Sequence, residues 1–156
     1  MDLSENGIRF IERQEGLELA PYWDADGLVW TDGYGNTTGV IPNGPAITQE
    51  RAEADLRRNI GWAQAAVNTL VKVPITQDQD DALVDFVFNL GATNFGGSTL
   101  LRLLNAGDYE GAAGQFGRWI HDATGAVNSD LVDRRAREAA MFQSGFANPS
   151  APAKAN

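Results

Sequence analysis

Cysteine is absent from this chain of 156 residues. That excludes disulfide staples, thiolate zinc sites and thiol catalysis. Histidine occurs once, as His121, too few for a histidine-based metal cluster and a poor start for a serine–histidine–aspartate triad. Bases are scarce as well: 12 Lys and Arg stand against 21 Asp and Glu, giving a net charge of −9. Phosphate binding needs the opposite balance, so nucleic acid is excluded as a partner and anionic membranes are disfavoured. No apolar run approaches the roughly 18 residues a membrane span requires. The opening Met1-Asp2-Leu3-Ser4-Glu5-Asn6 lacks the basic and apolar regions of a signal peptide. The expectation is a protein made in soluble form, with no stable membrane insertion.

What remains is a composition able to build a core, 43% hydrophobic and 21% charged, at single-domain length. Any chemistry falls to carboxylates. The acids are unevenly placed: residues 1–45 carry eight against two bases, and residues 76–91 carry four against none. Charge runs of this kind read as solvated surface.

Ser4 can cap a first helix to about Gly16, with Ile8 and Ile11 on one face and Phe10 beside them. Residues 17–45 change character. Glycines, aromatics and β-branched residues, with turn signals at Asp26-Gly27, Asp32-Gly33 and Asn43-Gly44, predict a small antiparallel sheet of short strands. Thr48 then caps a helix with Ala52, Leu56, Ile60, Ala63, Val67 and Leu70 on its apolar stripe. Run to about Val71, it spans roughly 35 Å at 1.5 Å per residue, enough to join two lobes. Thr76 and Gln79 form a capping box before a segment, Ala82 to Leu90, that is apolar nearly all round and therefore central to a helical core. Further helices are predicted at 98–106, 108–121 and 130–144, with His121 an ordinary helix residue. The fold class is α+β: a small antiparallel β-sheet lobe and a larger helical lobe joined by a long helix, with the binding cleft between them. Residues 1–146 form this domain, and 147–156 form a flexible tail with nothing to bury.

Glu15, Asp24 and Thr31 stand out for chemistry. Glu15 ends the first helix, and the other two lie in the sheet region. Two carboxylates on different elements can hold different protonation states, which glycoside hydrolysis requires. Asp26 and Asp32 compete for the second role.

The surrounding residues narrow the choice. Glu15-Gly16-Leu17-Glu18-Leu19-Ala20-Pro21-Tyr22-Trp23-Asp24, then Trp30-Thr31-Asp32-Gly33-Tyr34-Gly35-Asn36-Thr37, closely resembles the signature of the phage-type lysozymes, the endolysin muramidases. The resemblance continues through Thr76–Leu83, Phe86-Val87-Phe88-Asn89-Leu90-Gly91, Ser98–Arg102, Leu104–Tyr109, Phe116, Arg118-Trp119 and Leu131–Glu138, covering about residues 5–145. It implies a lysozyme-like fold with its active-site cleft between the lobes. It also implies hydrolysis of the bond between N-acetylmuramic acid and N-acetylglucosamine in bacterial peptidoglycan, without metal or cofactor. Carried over by position, Glu15 is the general acid, Asp24 the second carboxylate and Thr31 the hydroxyl that helps hold the attacking water. Phe88 and Asn89 match substrate positions. Arg134 matches an arginine that approaches the catalytic glutamate, with Arg135 close enough to compete. The implied life history is a monomer made in the host cytoplasm, reaching the wall through a holin-made hole or carried in a virion.

Three departures stand against the pattern. Six residues separate Asp24 from Thr31 where the family usually has five, which keeps Asp26 open for the second role. Asn36 replaces a usual histidine, a change read as one of stability. Asp32 replaces a usually apolar residue, and strand alternation predicts its exposure. Trp23, Trp30, Trp62 and Trp119 read first as packing, and Arg134, Arg135, Arg137 and Glu138 could form a solvated helix face. Two rivals remain: a lytic transglycosylase, which would not need Asp24 and Thr31, and a non-catalytic wall-binding or virion protein on the same scaffold.

The charge makes a prediction. Bacterial walls are themselves anionic, so a protein at −9 is repelled at long range. Moderate salt, with a screening length of about 10 Å at 0.1 M, should preserve or raise the lysis rate. A steep loss of activity between low and moderate salt would show a local basic contact instead.

Overall fold

The computed structural model describes residues 1–147; the tail expected beyond the domain lies, from residue 148 on, outside the described residues. Two compact units are present. The hairpin unit is Ile8–Trp62, and the helical unit is Met1–Gly7 with the described residues from Ala63 on. In chain order the elements are α1 (Glu5–Glu15), β1 (Glu18–Asp24), β2 (Val29–Gly33), α2 (Gln49–Leu70), α3 (Gln77–Leu90), α4 (Ala92–Gly96), α5 (Thr99–Asn105), α6 (Tyr109–Ala113) and α7 (Ser129–Ala147). A 3-10 turn at Phe116–Arg118 precedes α7. The unit boundaries fall inside α1 and α2.

The hairpin unit follows its local signals. Ile8, Phe10 and Ile11 are buried, and Gly16, at φ +71, ends α1 by donating its N–H to the Glu12 carbonyl at 3.0 Å. β1 and β2 pair antiparallel, Tyr22 opposite Thr31, Trp23 opposite Trp30 and Asp24 opposite Val29. Thr48 caps α2 by accepting the Arg51 N–H at 3.1 Å. Ala52, Leu56 and Ile60 are buried as their spacing requires. Gly33, at φ +57, lies against Ala52: a Cβ there would come within 3.2 Å of the Ala52 Cβ. Glycine is therefore needed twice over at this position, for its backbone and for its missing side chain.

In the helical unit, α3 packs on α7. The Thr76–Gln79 capping box forms in both directions, and the apolar half of α3 is wholly buried through Val87. Phe86 is the hub: it meets Phe95, Phe116 and Trp119 edge to face at 6.1, 5.3 and 6.1 Å between ring centres. Such pairs add about 0.5–1.5 kcal/mol each beyond area burial.

Two expectations fail here. The segment read as one helix over 108–121 is α6, a 3-10 turn and irregular chain. Gly111, Gly114 and Gly117 weaken a continuous helix by about 1 kcal/mol each relative to alanine. Gly111 is itself required by the cap, because the Asp108 carboxylate accepting its N–H occupies the space a Cβ would need. His121 is accordingly exposed and paired in an isolated bridge with Val127, not helical. The acidic run at 76–91 is not a solvated surface either: Asp80, Asp81 and Asp85 are fully buried, leaving Asp78 half-buried.

Asp81 shows why. Its carboxylate accepts the Ser4 N–H at 3.0 Å, the Ser4 hydroxyl and the Gln77 side-chain amide at 2.9 Å, while Ser4 Oγ accepts the Gly7 N–H at 3.0 Å. The cap of α1 is thus anchored by a carboxylate 77 residues away. Replacing Asp81 with Ala should cost about 1–3 kcal/mol in a urea melt, more than Ser4→Ala at about 1 kcal/mol. Equal losses would mean that Asp81 contributes nothing beyond the serine cap.

Candidate active site

Glu15, Asp24 and Thr31 all belong to the hairpin unit. Glu15 is the half-buried last residue of α1. Asp24 closes β1 and folds over the turn that follows. Its Oδ1 accepts the N–H of Asp26 at 3.0 Å and of Gly27 at 3.2 Å. A Cβ on Gly27 would lie 2.9 Å from Asp24 Oδ2, so the turn needs glycine there. In this turn Leu28 sits at φ +52 and is exposed. Asp26 is also exposed, and only its backbone N–H meets Asp24.

Thr31 is buried in β2, its hydroxyl donating weakly to the Val29 carbonyl at 3.4 Å. Tyr22 is its partner across the hairpin. Burial pushes the Tyr22 phenol above its ordinary value, and the negative charges of Asp24, Glu18 and Glu15 add to this. One phenol therefore stands opposite the candidate hydroxyl and senses both candidate carboxylates. Tyr22 was part of the signature run but had no role in the sequence reading. Its cross-strand position opposite Thr31, readable only once the register is known, is the signal that finds it. Beside it, Trp23 is half exposed and packs edge to face on Trp30 at 6.1 Å between ring centres.

Asp32 departs from expectation. It is 4% exposed, not solvated. Alternation fails because β2 ends here: the chain turns at Gly33, and Asp32 pairs with Asn36 across a narrow bridge. Asn36 Nδ2 donates to Asp32 Oδ1 at 3.0 Å.

In the helical unit, Phe88 is half-buried and Asn89 exposed on the last turn of α3. Arg134 lies on α7, 8% exposed. It grips Asp85 with two donors, Nε to Oδ2 at 3.1 Å and Nη2 to Oδ1 at 2.6 Å. Arg135, fully buried, donates Nη2 to Asn89 Oδ1 at 2.7 Å and to Glu138 Oε1 at 2.9 Å, and stacks over the Phe86 ring at 5.1 Å. This is no solvated helix face: only Arg137 of the four charged residues is exposed. The two arginines take different partners, Asp85 for Arg134 and Asn89 for Arg135. Among the described residues, no group of three His, Asp or Glu is placed to hold a metal ion. Nor, among them, is any helix long and apolar enough to cross a membrane.

The phage lysozyme family model matches residues 12–138. An endolysin of Acyrthosiphon pisum secondary endosymbiont phage 1 is 45% identical over 147 residues, covering 92% of this chain and 99% of that protein. The endolysin of Salmonella phage P22 is 39% identical over 148 residues, with the same coverage. Among solved structures, a point mutant of P22 lysozyme superposes with a TM-score of 0.84 at 37% identity, over 92% of this chain and 99% of that one. The muramidase domain of SpmX from Asticaccaulis excentricus gives 0.83 at 38% identity, over 90% and 97%.

The buried ion network yields a pH prediction. Burial raises the Glu138 carboxyl well above its ordinary value. The neighbouring Asp85 adds to this, against the pull of Arg135 and Arg134. An acid with a raised folded-state value binds more protons folded than unfolded, so stability falls as pH climbs above the unfolded value of about 4.3. Glu138→Gln removes the titrating group and keeps an acceptor for Arg135. Its melting temperature should therefore improve relative to the unmodified protein between about pH 4.5 and 7. A pH-independent difference would show that Glu138 is ionised in the fold.

Proposed function

The chain belongs to the phage lysozyme family, and on that footing we propose that it hydrolyses peptidoglycan between N-acetylmuramic acid and N-acetylglucosamine. It is a lysozyme-type glycoside hydrolase, and its relatives are named endolysins and, in one solved structure, a muramidase domain. In this reading Glu15 protonates the leaving glycosidic oxygen. Asp24, held in orientation by its turn amides, is the second carboxylate, facing the developing positive charge and the attacking water. Thr31 helps hold that water. The observation that supports the assignment is geometric: Glu15, Asp24 and Thr31 share the hairpin unit, where Asp24 is held by the Asp26 and Gly27 amides and Thr31 is buried in β2. On the helical unit, Phe88 and Asn89 are the substrate contacts, with Asn89 oriented by Arg135. Arg134, the third candidate, serves from within its pair with Asp85.

We take residues 1–146 as the lysozyme domain. The protein acts as a monomer on the cell wall, without nucleic acid and without lasting membrane insertion. It is made in the host cytoplasm and released through a holin-type hole, or carried in a virion. No metal or cofactor is needed, because proton transfer and carboxylate stabilisation supply the chemistry.

Turbidity loss of purified peptidoglycan, with mass analysis of the fragments, tests this. General acid catalysis contributes about 10²–10⁴-fold, so Glu15→Gln should slow lysis by at least about 10²-fold with the fold intact. Asp24→Asn should be similarly severe, and Asp26→Asn should cost little. Thr31→Ala should weaken activity less than either active-site carboxylate change. Fragments should end in reducing muramic acid, one water heavier than the anhydro form. Exclusively anhydro products would move the protein to the transglycosylases, and full activity in folded Glu15→Gln would remove the mechanism.

A further inference from the structure

The two departures at Asp32 and Asn36 are one structural unit. Their backbones exchange hydrogen bonds, Asp32 N–H to the Asn36 carbonyl at 3.0 Å and Asn36 N–H to the Asp32 carbonyl at 2.8 Å. Between them the chain loops through Gly33 at φ +57, Tyr34 and Gly35 at φ +74. The Asn36 side chain then uses both of its ends. Nδ2 donates to Asp32 Oδ1 at 3.0 Å and to the Thr38 carbonyl at 3.0 Å. Oδ1 accepts from Asn59 Nδ2 on α2 at 3.0 Å and from the Thr38 N–H at 3.3 Å. Asn36 is 2% exposed and Asp32 4%.

Four bonds to one amide suit asparagine in particular. A neutral imidazole offers one donor and one acceptor on opposite sides of a ring. An apolar side chain at position 32 would leave Nδ2 with one partner fewer in a buried place, at a cost of about 1–3 kcal/mol. Each residue therefore depends on the other. What they jointly hold is the loop whose middle faces the acid: a Cβ built on Gly35 would stand 3.6 Å from Glu15 Oε2. Thr31 is the residue directly before Asp32.

We propose that Asp32 and Asn36 are a positioning pair for hydrolysis. Tied to α2 through Asn59, they set the 32–36 loop so that the Gly35 backbone bounds the Glu15 carboxyl on one side and Thr31 is held at its C-terminal neighbour. The inference rests on the assignment of Glu15 and Thr31 above. Neither Asp32 nor Asn36 touches substrate in this scheme; both act through the loop.

The test compares Asp32→Leu, Asn36→Ala, the double variant and Asp32→Asn with the unmodified protein. Rates are taken on soluble peptidoglycan fragments at a temperature where circular dichroism shows each variant fully folded. A displaced acid lowers kcat more than it weakens binding. Each single change should therefore reduce kcat about tenfold or more, with KM within about twofold. The double variant should be no worse than the poorer single, since both break one linkage. Asp32→Asn, which keeps an acceptor for Asn36, should restore kcat to within about threefold of the unmodified rate. If Asp32→Leu does not fold, Asn36→Ser carries the same comparison from the other end. A folded Asp32→Leu with unchanged kcat, or losses that simply multiply, would overturn the proposal. A second readout does not depend on turnover: the carboxyl carbon resonance of Glu15 should shift in Asp32→Leu and stay in place in Asp26→Asn. An unmodified protein that cleaves no peptidoglycan would defeat the hydrolase reading, whereas a Glu15 resonance indifferent to Asp32→Leu would defeat the positioning pair itself.

Discussion

The pairing of Asp85 with Arg134 inside the helical unit is the interaction on which that unit most depends. Both oxygens of a fully buried carboxylate are met by one guanidinium. Taking either charge out of water alone would cost several kcal/mol, and removing one partner of such a pair typically costs about 3–5 kcal/mol. The pair also ties α7 to α3 directly. Arg135 and Glu138, on the same face, complete the arrangement. Burial holds the Glu138 carboxyl well above its ordinary value, against the pull of Arg135 and Arg134. The Phe86 ring beneath Arg135 satisfies part of a cation that has hydrogen-bond donors to spare.

The same requirement recurs wherever this acidic chain buries a carboxylate. Asp55 is met by Arg51 and Arg58, four and three residues away on α2. Asp80 takes both of its oxygens to Gln64, and Asp81 is used up by the cap of α1. Asp32 takes the amide of Asn36. Acid residues that counted only as surface charge in composition are, in these places, the polar joints of the fold.

That difference marks what could be read from residues alone. Helix caps and apolar stripes were legible because their determinants are three or four residues apart: Thr48 with Arg51, Thr76 with Gln79, and the Ala52–Leu56–Ile60 line. The catalytic candidates were legible through a dense run of signature residues. The burial of Asp81 and Asp85 was not, because their partners lie 77 and 49 residues away and no local pattern distinguishes a capped aspartate from a solvated one. Alternation misplaced Asp32 for a different reason. It assumes a strand that continues, and β2 stops one residue later at a glycine with positive φ. The helix expected across 108–121 does not form because Gly111, Gly114 and Gly117 fall within it.

Tyr22 joins these points to the chemistry. A hairpin brings residues nine apart in sequence into register, so Tyr22 stands directly opposite Thr31. The residue after Thr31 is locked by Asn36. Asp24 is tied down by the amides of its own turn. Asp24 and the neighbour of Thr31 are thus each held by hydrogen bonds within the hairpin unit. Such support matters for catalysis because a carboxyl or hydroxyl free to rotate must be ordered again at every turnover, whereas one held beforehand need not. The turn that Asp24 nucleates leaves the register from Trp23 opposite Trp30 back to Tyr22 opposite Thr31 unbroken, so the two candidate groups keep fixed places on facing strands.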